Sequence, residues 1–178
     1  MTFPLRNNFV GPFKSSAGNF YSVFLDTTTR RVVVYKATDP TSSFSEADSA
    51  NRPTTVFGLP TSIAVLQDGD VLRIACSSRY NDFNMATDTW GNKDVDLGTI
   101  TPVASTSRSL TVRSDASLIM FVNGVGEVIK GTSYARVSYR KSIDGGGTWS
   151  AETSVGATGI QRHIFGSQNI LHIIPLKL

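Results

Sequence analysis

The chain has 178 residues, of which 40% are hydrophobic and 17% charged, and 17 basic against 14 acidic side chains give a formal net charge of +3. This length and composition predict one globular domain and exclude a disordered chain. No run of Lys or Arg is longer than two residues, which argues against nucleic acid as a partner. No segment reaches the ~18–20 apolar residues of a membrane span and no signal peptide is visible, so no membrane contact is expected and no compartment is assigned.

One unit recurs along the chain: a short apolar strand, a polar turn and a more strongly apolar strand. Residues 22–35 read SVFLDTTTRRVVVY, residues 62–75 read SIAVLQDGDVLRIA, residues 109–122 read SLTVRSDASLIMFV, and a weaker copy at 163–174 reads HIFGSQNILHII. Each turn contains the Asp, Ser, Thr, Gly or Asn residues that tight turns favour. Helical periodicity is almost absent. We therefore predict four β-hairpins.

The spacing of the four copies predicts how the sheets are organised. The copies start roughly 40 to 55 residues apart, which suits four-stranded propeller blades of about 40–50 residues. We predict a single all-β, propeller-like domain over 1–178, with three to four antiparallel blades, each hairpin supplying the inner strands of its blade. The approximate blades are 19–58, 59–104 and 105–158, with a half-blade at 159–178.

Two further expectations concern the strands themselves. Residues 71–76 and 118–122 are nearly continuous apolar runs, which is typical of strands buried on both faces. Residues 133–142 alternate in polarity and are expected to form a half-buried strand, whereas Gly124–Gly126 is expected to be a loop between strands.

A glycine-rich motif follows the third hairpin. The stretch SIDGGGTW fits the pattern Ser-x-Asp-x-Gly-x-Thr-Trp, with its fixed positions at Ser142, Asp144, Gly146, Thr148 and Trp149. This motif resembles the Asp box, or BNR repeat, of the sialidase-like β-propeller family. Degenerate versions occur in the two earlier blades, where Asp39 and Phe44, then Thr89 and Trp90, remain and Met85 stands at the aspartate position. The resemblance implies a structural turn between two outer strands, remote from any active site.

The same resemblance implies a demanding catalytic site, which the sequence does not display. Enzymes of the family use a tyrosine nucleophile with a glutamate, an aspartate and three arginines that hold the substrate carboxylate. The family's Arg-Ile-Pro signature is absent here, and six blades need about twice this length. No catalytic residue is assigned. Candidates for ligand contacts outside any motif are Arg73, Arg113, Tyr80 and Tyr134, with Glu127 as a further carboxylate.

Metal and cofactor sites are not predicted. Asn92–Gly98 carries oxygen ligands at alternate positions, but it lacks the glycine and the final glutamate of a calcium loop. His163 and His172 have no third ligand with which to bind zinc. Cys76 lies alone in an apolar run, and we expect it to be a buried, inert thiol.

For function, the sequence favours a non-catalytic binding module, with carbohydrate as the expected ligand. The alternatives are a sialidase-like glycoside hydrolase, whole or as a fragment, and a structural component of a larger particle. A half-built last blade would leave an unpaired apolar edge. We therefore expect a homo-oligomer, with ring closure by residues 7–14 or a longer parent chain as the other solutions.

Overall fold

A computed structural model describes residues 9–58, 63–98, 107–129 and 132–154 of the chain. These residues contain β-strands and one short 3-10 helix, Ser49–Asn51, so the fold class is all-β, as predicted. The predicted half-blade at 159–178 lies outside the described residues. The strands are β1 (Phe9–Lys14), β2 (Phe20–Leu25), β3 (Val32–Ala37), β4 (Ser45–Glu46), β5 (Ile63–Asp68), β6 (Val71–Cys76), β7 (Arg79–Asn84), β8 (Thr89–Trp90), β9 (Val95–Asp96), β10 (Ser107–Val112), β11 (Leu118–Ile129), β12 (Thr132–Ser142) and β13 (Thr153–Ser154).

The strands form three antiparallel sheets in which neighbours in the chain are neighbours in the sheet. The first sheet has the order β1-β2-β3-β4, the second β5-β6-β7-β8 and the third β10-β11-β12-β13. The short strand β9 also pairs with β7. The described residues form no closed barrel or propeller, so the predicted antiparallel sheets are confirmed while the propeller stays a prediction.

Local turn chemistry explains the three described hairpins. The Asp26 carboxylate accepts hydrogen bonds from the Thr28 amide at 2.8 Å and the Thr29 hydroxyl at 2.7 Å, which closes the β2–β3 turn. Gly69, with φ of 57°, makes the β5–β6 turn. Asp115 accepts the Ser117 amide at 3.0 Å in the β10–β11 turn. These are the side chain-to-backbone bonds for which Asp is favoured in turns.

The first hairpin occupies a different place in its sheet from the one predicted. Residues 22–35 form the second and third strands, because β1 precedes them and pairs with β2. Residues 7–14 were expected, as one alternative, to close the ring, but residues 9–14 pair with β2 of the first sheet instead. Gly11 and Pro12 lie inside this strand, and both weaken a strand pattern. β1 accommodates them as an edge strand with a register shift between Val10 and Phe13. Residues 9–14 therefore belong to the first sheet, which begins ten residues before the predicted blade boundary at residue 19.

The Gly124–Gly126 segment also differs from its prediction. It lies inside β11, which continues to Ile129 and pairs with β12. A register shift between Val125 and Val128 accommodates the glycines, as is common where glycine interrupts a strand. The predicted strand at 133–142 is confirmed as β12.

The sheets pack face to face in chain order, with one core cluster in each gap. The second sheet is covered on both faces. The first cluster joins the first and second sheets through Tyr21, Val23, Leu25, Val32, Val34, Ala47, Phe57, Leu72, Ile74, Cys76, Phe83, Met85 and Trp90. The second cluster joins the second and third sheets through Ala64, Ala75, Tyr80, Leu97, Leu110, Leu118, Met120 and Val122.

The strands predicted to be buried on both faces are β6 and the first half of β11. On β6, Leu72 and Ile74 lie in the first cluster while Ala75, on the opposite face, lies in the second. On β11, Met120 is fully buried in the second cluster and Ile119, which points the other way, is also buried. The prediction is confirmed, and both are the second strand of their sheet, as expected for the second strand of each hairpin.

Candidate functional site

The turn that carries the Asp-box-like motif, called the Asp-box turn below for that resemblance, connects β12 to β13 and is held by its own aspartate. Asp144 accepts hydrogen bonds from the Thr148 hydroxyl at 2.6 Å, the Thr148 amide at 2.9 Å and the Ser142 hydroxyl at 2.8 Å. The Ser142 hydroxyl oxygen accepts the Gly146 amide at 2.8 Å. These donors, the Thr148 hydroxyl first, lower the pKa of Asp144 to about 2. The carboxylate is therefore ionised at neutral pH and fixes the turn.

The other two sheets use a related turn in the same connection, between their third and fourth strands. In the first sheet, Asp39 accepts the Thr41 amide at 2.8 Å. In the second sheet, the Asn84 side-chain oxygen accepts the Ala86 amide at 2.9 Å. The sequence comparison set Met85 against the aspartate, but the turn is made by Asn84, one residue earlier. An Asn amide oxygen makes the same turn as a carboxylate. The pattern would have found this turn only if it allowed both Asn and one additional residue before the tryptophan.

The aromatic residue that ends each Asp-box segment packs at a sheet face. The Trp149 ring lies 5.1 Å from the ring of Tyr80, on the second sheet. Trp90 belongs to the cluster between the first and second sheets, and its ring meets Phe83 edge to face at 5.2 Å. Phe44, at the same point of the first sheet, lines a groove on the outward face of that sheet.

Gly146 is required by the contact that its turn makes with the second sheet. Its φ of 102° is one that residues with a side chain rarely adopt. A β-carbon at this position would lie 2.0 Å from Cε1 of Tyr80. At Gly146 the Asp-box turn therefore lies directly against the Tyr80 ring of the second sheet, with no room for a side chain.

A polar cluster surrounds the main-chain carbonyl of Gly145 at this contact. We call it the Gly145 cluster, and it consists of Arg73, Tyr80, Asp82 and Asn92 together with that carbonyl. Arg73 Nη1 donates to the carbonyl oxygen at 3.2 Å and Asn92 Nδ2 at 3.4 Å, and Tyr80 Oη lies 3.4 Å away. All four side chains come from the second sheet or the connection after β8, and the carbonyl comes from the third.

Carboxylates complete the Gly145 cluster. Asp82 accepts Asn92 Nδ2 at 2.7 Å and lies 3.6 Å from Arg73 Nη1. Arg73 Nη2 also donates to Asp68 at 3.0 Å. Burial first, and then the negative charge of Asp82, raise the pKa of Tyr80 well above its ordinary value. Tyr80 is fully buried, so its phenol stays protonated and inaccessible to a substrate.

The structure does not bring the four predicted ligand candidates, Arg73, Arg113, Tyr80 and Tyr134, together at one site. Arg73 and Tyr80 come together, 3.5 Å apart between Nη1 and Oη, but they hold the Asp-box turn. Arg113 is exposed in the β10–β11 turn, where its amide donates to Ser117, and it takes no part in the cluster. Tyr134 lies on β12, and its side chain falls outside the described residues, as does that of Glu127. The sequence pointed to Asn92 only as part of the candidate calcium loop, and it did not point to Asp82, which belongs to no motif.

A shallow, open depression lined by polar residue types, which we call the polar pocket, lies where the β1–β2 and β5–β6 turns meet. Its volume is about 310 Å³, and it is lined by Lys14, Ser15, Ser16, Gln67, Gly69 and Asp70. The Ser16 amide donates to Asp70 at 2.7 Å, and the Ser16 hydroxyl donates to the same carboxylate. Gln67 Nε2 donates to the main-chain oxygen of Lys14 at 2.8 Å. These contacts connect the first and second sheets and fix the lining groups.

The two charged groups of the polar pocket, the Asp70 carboxylate and the Lys14 ammonium, each contact a different neighbour. The hydrogen bonds from Ser16 lower the pKa of Asp70 below its ordinary value, so the carboxylate is ionised. The Lys14 ammonium lies 5.6 Å from the centroid of the Phe20 ring, within cation–π range. The pocket thus presents a carboxylate and an ammonium together with an amide and hydroxyl groups.

The candidate calcium loop is used for packing. Asp94 accepts the Thr54 amide at 2.7 Å, Asp96 pairs with Arg79 at 3.1 Å, and Asn92 belongs to the Gly145 cluster. Across the described ranges, no group of three or more His, Cys, Asp or Glu side chains is arranged to hold a metal ion. No helix in the same part of the chain is long and apolar enough to cross a membrane.

Comparisons with known proteins add no assignment. No protein-family model matches this chain, and a search of curated proteins gives no match. The Asp-box resemblance rests on the motif itself and stays a prediction.

Proposed function

We propose that this protein is a non-catalytic carbohydrate-binding module with a propeller-like arrangement of sheets. The observation that carries the proposal is the polar pocket of about 310 Å³ formed by Lys14, Ser15, Ser16, Gln67, Gly69 and Asp70. Its volume lies at the lower end of the 300–1,000 Å³ range of small-molecule sites. A single sugar residue fits a pocket of this size.

The chemistry of the pocket favours a polyhydroxylated ligand. Sugar hydroxyls donate and accept hydrogen bonds, and the pocket combines an ionised carboxylate at Asp70 with an ammonium at Lys14. The β1–β2 and β5–β6 turns supply opposite walls, and the hydrogen bonds of Ser16 to Asp70 and of Gln67 to Lys14 hold the lining groups in place. In such a site, the hydroxyl groups of a neutral sugar can donate hydrogen bonds to the Asp70 carboxylate and accept them from the Lys14 ammonium.

A propeller-like arrangement is supported by three features of the sheets. Each is a four-stranded meander in chain order. The first strand of each sheet contacts the first strand of the next, as inner strands around an axis do. The Asp-box turn and its two relatives occupy the same connection in each sheet. These features match the blade organisation that the resemblance implies.

Binding is favoured over catalysis because the Gly145 cluster is already engaged. A tyrosine nucleophile must lose its proton and reach the substrate. Tyr80 is fully buried, and its pKa is raised by burial. Arg73, the second candidate, is paired with Asp68 and the Gly145 carbonyl.

The proposal is tested by glycan-array binding followed by calorimetry on the best ligand. We expect Lys14→Ala and Gln67→Ala each to weaken binding by about tenfold, since each removes one hydrogen-bonding group worth ~1–1.5 kcal/mol. Lys93→Ala, which removes an exposed lysine far along the chain from the pocket, is the matched control and should leave affinity unchanged. Absence of any glycan binding, or equal affinity in all three variants, would refute the proposal.

A sialidase-like hydrolase is the second candidate, because Tyr80, Asp82 and Arg73 are the residue types of such a site and lie within 3.6 Å of one another in pairs. Its test is release of the chromophore from aryl sialosides and other aryl glycosides. Turnover by the wild-type chain that is lost in Tyr80→Phe, at an unchanged melting temperature, would favour the hydrolase. No turnover is expected.

A further inference from the structure

The two serines of the polar pocket have already used their donors within the protein. The Ser16 amide and the Ser16 hydroxyl both donate to the Asp70 carboxylate. The Ser15 hydroxyl donates to the main-chain oxygen of Asn19 at 3.4 Å, and Ser15 is only 4% exposed. Because a hydroxyl group has one hydrogen to donate, neither serine keeps a side-chain donor for a ligand.

The Gln67 side chain is engaged through its nitrogen only. Nε2 carries two hydrogens, and it donates to the main-chain oxygens of Lys14 at 2.8 Å and Gly69 at 3.0 Å. These two bonds fix the orientation of the amide, because exchanging its oxygen and nitrogen would lose both. Within the described part of the chain no group donates to Oε1, and the side chain is exposed. Gln67 therefore offers a ligand an acceptor.

The Asp70 carboxylate also keeps capacity to accept hydrogen bonds. Each of its two oxygens accepts one bond from Ser16, Oδ1 from the amide at 2.7 Å and Oδ2 from the hydroxyl. A carboxylate has about four lone-pair positions, so about two stay free. The hydroxyl and the amide of Ser16 lower the pKa of Asp70, so the group is ionised at neutral pH and can only accept.

Lys14 is the remaining side-chain donor of the polar pocket. Its ammonium lies 5.6 Å from the centroid of the Phe20 ring, and it forms no ion pair with a carboxylate of the described residues. The groups offered to a ligand are therefore unequal. Free side-chain acceptors lie at Asp70 and Gln67, whereas the free side-chain donor is that of Lys14, so a complementary ligand must mainly donate.

We propose that the polar pocket selects sugars with two free hydroxyl groups on one ring, which donate hydrogen bonds to the Asp70 carboxylate and to Gln67 Oε1. This inference rests on the carbohydrate-binding function proposed above and adds the feature of the sugar that is recognised. A hydroxyl that donates to Asp70 can still accept from the Lys14 ammonium. The bond to Asp70 is the stronger one, because its acceptor is charged.

The proposal distinguishes free hydroxyls from substituted ones. The oxygen of an O-methyl or O-acetyl group accepts hydrogen bonds but has no hydrogen to donate. A sugar that is substituted at the two contacting positions therefore leaves the acceptors of Asp70 and Gln67 without partners, which lowers affinity. We expect a loss of about tenfold for each position.

An NMR titration of the isotope-labelled chain with the methyl glycosides of glucose, galactose and mannose provides the first test. The tightest of the three is compared with derivatives in which one ring hydroxyl at a time is replaced by fluorine, which is small and cannot donate. We expect two positions at which fluorine weakens binding about tenfold, with O-methylation there weakening it at least as much. Equal affinity for every fluorinated derivative would overturn the proposal.

This titration separates failure of the inference from failure of the proposed function. If the parent glycoside binds and fluorine has no effect, the protein binds carbohydrate but does not recognise hydroxyl donors. If none of the three parent glycosides binds, the proposed function fails, and this inference fails with it. Both outcomes are measured on the unmodified protein, so neither depends on the folding of a variant.

A substitution then assigns one of the two positions to its acceptor. Asp70→Asn keeps an oxygen for the Ser16 amide and replaces the other carboxylate oxygen by an NH₂ donor. It should weaken binding of the parent glycoside about tenfold and remove the effect of fluorine at one position. Asp96→Asn is the matched control, because Asp96 is exposed and pairs with Arg79. Arg79 lies at the opposite end of β7 from Met85, whose amide donates to the main-chain oxygen of Asp70. The control should retain the wild-type affinity and both fluorine effects. Two unchanged fluorine effects in Asp70→Asn would show that Asp70 is not the acceptor and would contradict the proposal.

Discussion

Asp144 is held as a carboxylate by hydroxyl and amide donors of its own turn, and this gives a prediction at the scale of one residue. Asp144→Ala removes the acceptor for Thr148 and Ser142, so the turn loses its internal cap. We expect the melting temperature to fall by about 2–6 °C at pH 7. Glycan binding should persist below that temperature, because the carboxylate has no part in the polar pocket.

The pH dependence of the Asp144→Ala effect on the melting temperature tests whether the effect comes from the carboxylate charge. The folded-state pKa of Asp144 is about 2, below the ordinary value of 3.8. Because the pKa is lower in the folded state, the ionised carboxylate stabilises the folded state fully at pH values above 3.8. This stabilisation is lost as the pH falls through the folded-state pKa of about 2. The difference in melting temperature between wild type and Asp144→Ala should therefore shrink from about pH 5 to pH 2. A difference that stays constant to pH 2 would show that the carboxylate charge is irrelevant.

Two adjacent glycines of the Asp box allow strain and contact to be separated. Both have positive φ, 71° at Gly145 and 102° at Gly146. A β-carbon at Gly145 meets nothing within 4 Å, whereas one at Gly146 meets the Tyr80 ring. We expect Gly145→Ala to cost ~1–2 kcal/mol of unfolding free energy from backbone strain alone, and Gly146→Ala to cost about 2 kcal/mol more.

Chemical denaturation measures both glycine variants, and a third variant checks the cause. In the Tyr80→Ala background, the extra cost of Gly146→Ala over Gly145→Ala should largely disappear, because the ring that the new β-carbon meets is gone. If the two glycine substitutions cost the same in the wild-type background, Tyr80 does not explain the requirement for glycine.

At the scale of the strand, burial on both faces makes β6 and β11 intolerant of charge. Ile74 and Met120 are fully buried, each in one of the two core clusters. An unpaired buried carboxylate costs ~3–5 kcal/mol or more, against a typical total stability of 5–15 kcal/mol. Ile74→Asp and Met120→Asp should therefore abolish soluble expression. Thr111→Asp, at an exposed position of neighbouring β10, is the control and should express normally.

The strands that could be predicted are those whose pattern is local. The apolar runs of β6 and β11 and the Asp, Gly and Ser turns are read from adjacent residues, because strand burial and turn chemistry depend on them. The place of β1 in the first sheet could not be predicted, since Gly11 and Pro12 break the pattern and its pairing with β2 is a tertiary contact. Tertiary pairing outweighed local propensity there.

Less of the candidate site than of the fold could be predicted, because its contacts join residues that are far apart in the sequence. Arg73 and Tyr80 were singled out by residue type, but their common partner is a carbonyl more than sixty residues away in the sequence. The polar pocket joins Ser16 to Asp70 across a similar distance. No local signal contains such contacts. The sequence could therefore indicate the turn that docks, through the Asp-box motif, but not the surface on which it docks.

At the scale of the whole molecule, the second sheet is the centre of the described fold, because the first and third sheets each pack on one of its faces. The contacts that join the sheets include hydrogen bonds as well as apolar packing, from Tyr21 to Met85 in the first gap and from Arg73 to Gly145 in the second. A change in one gap must therefore alter the strands that line the other. We expect the three sheets to unfold as one unit.

The two tryptophans of the chain test this expectation, since each reports on one gap. Trp90 lies in the first cluster and Trp149 packs against the second. The variant Trp149→Phe keeps Trp90 as the fluorescent reporter of the first gap, and the variant Trp90→Phe keeps Trp149 as the reporter of the second gap. In each background, Ile74→Ala, which truncates a side chain of the first cluster, should cost ~2–5 kcal/mol and lower the urea midpoint. A cooperative molecule gives the same shift at both reporters. A shift at Trp90 alone would mean that the first sheet unfolds separately, and the central role of the second sheet would then be wrong.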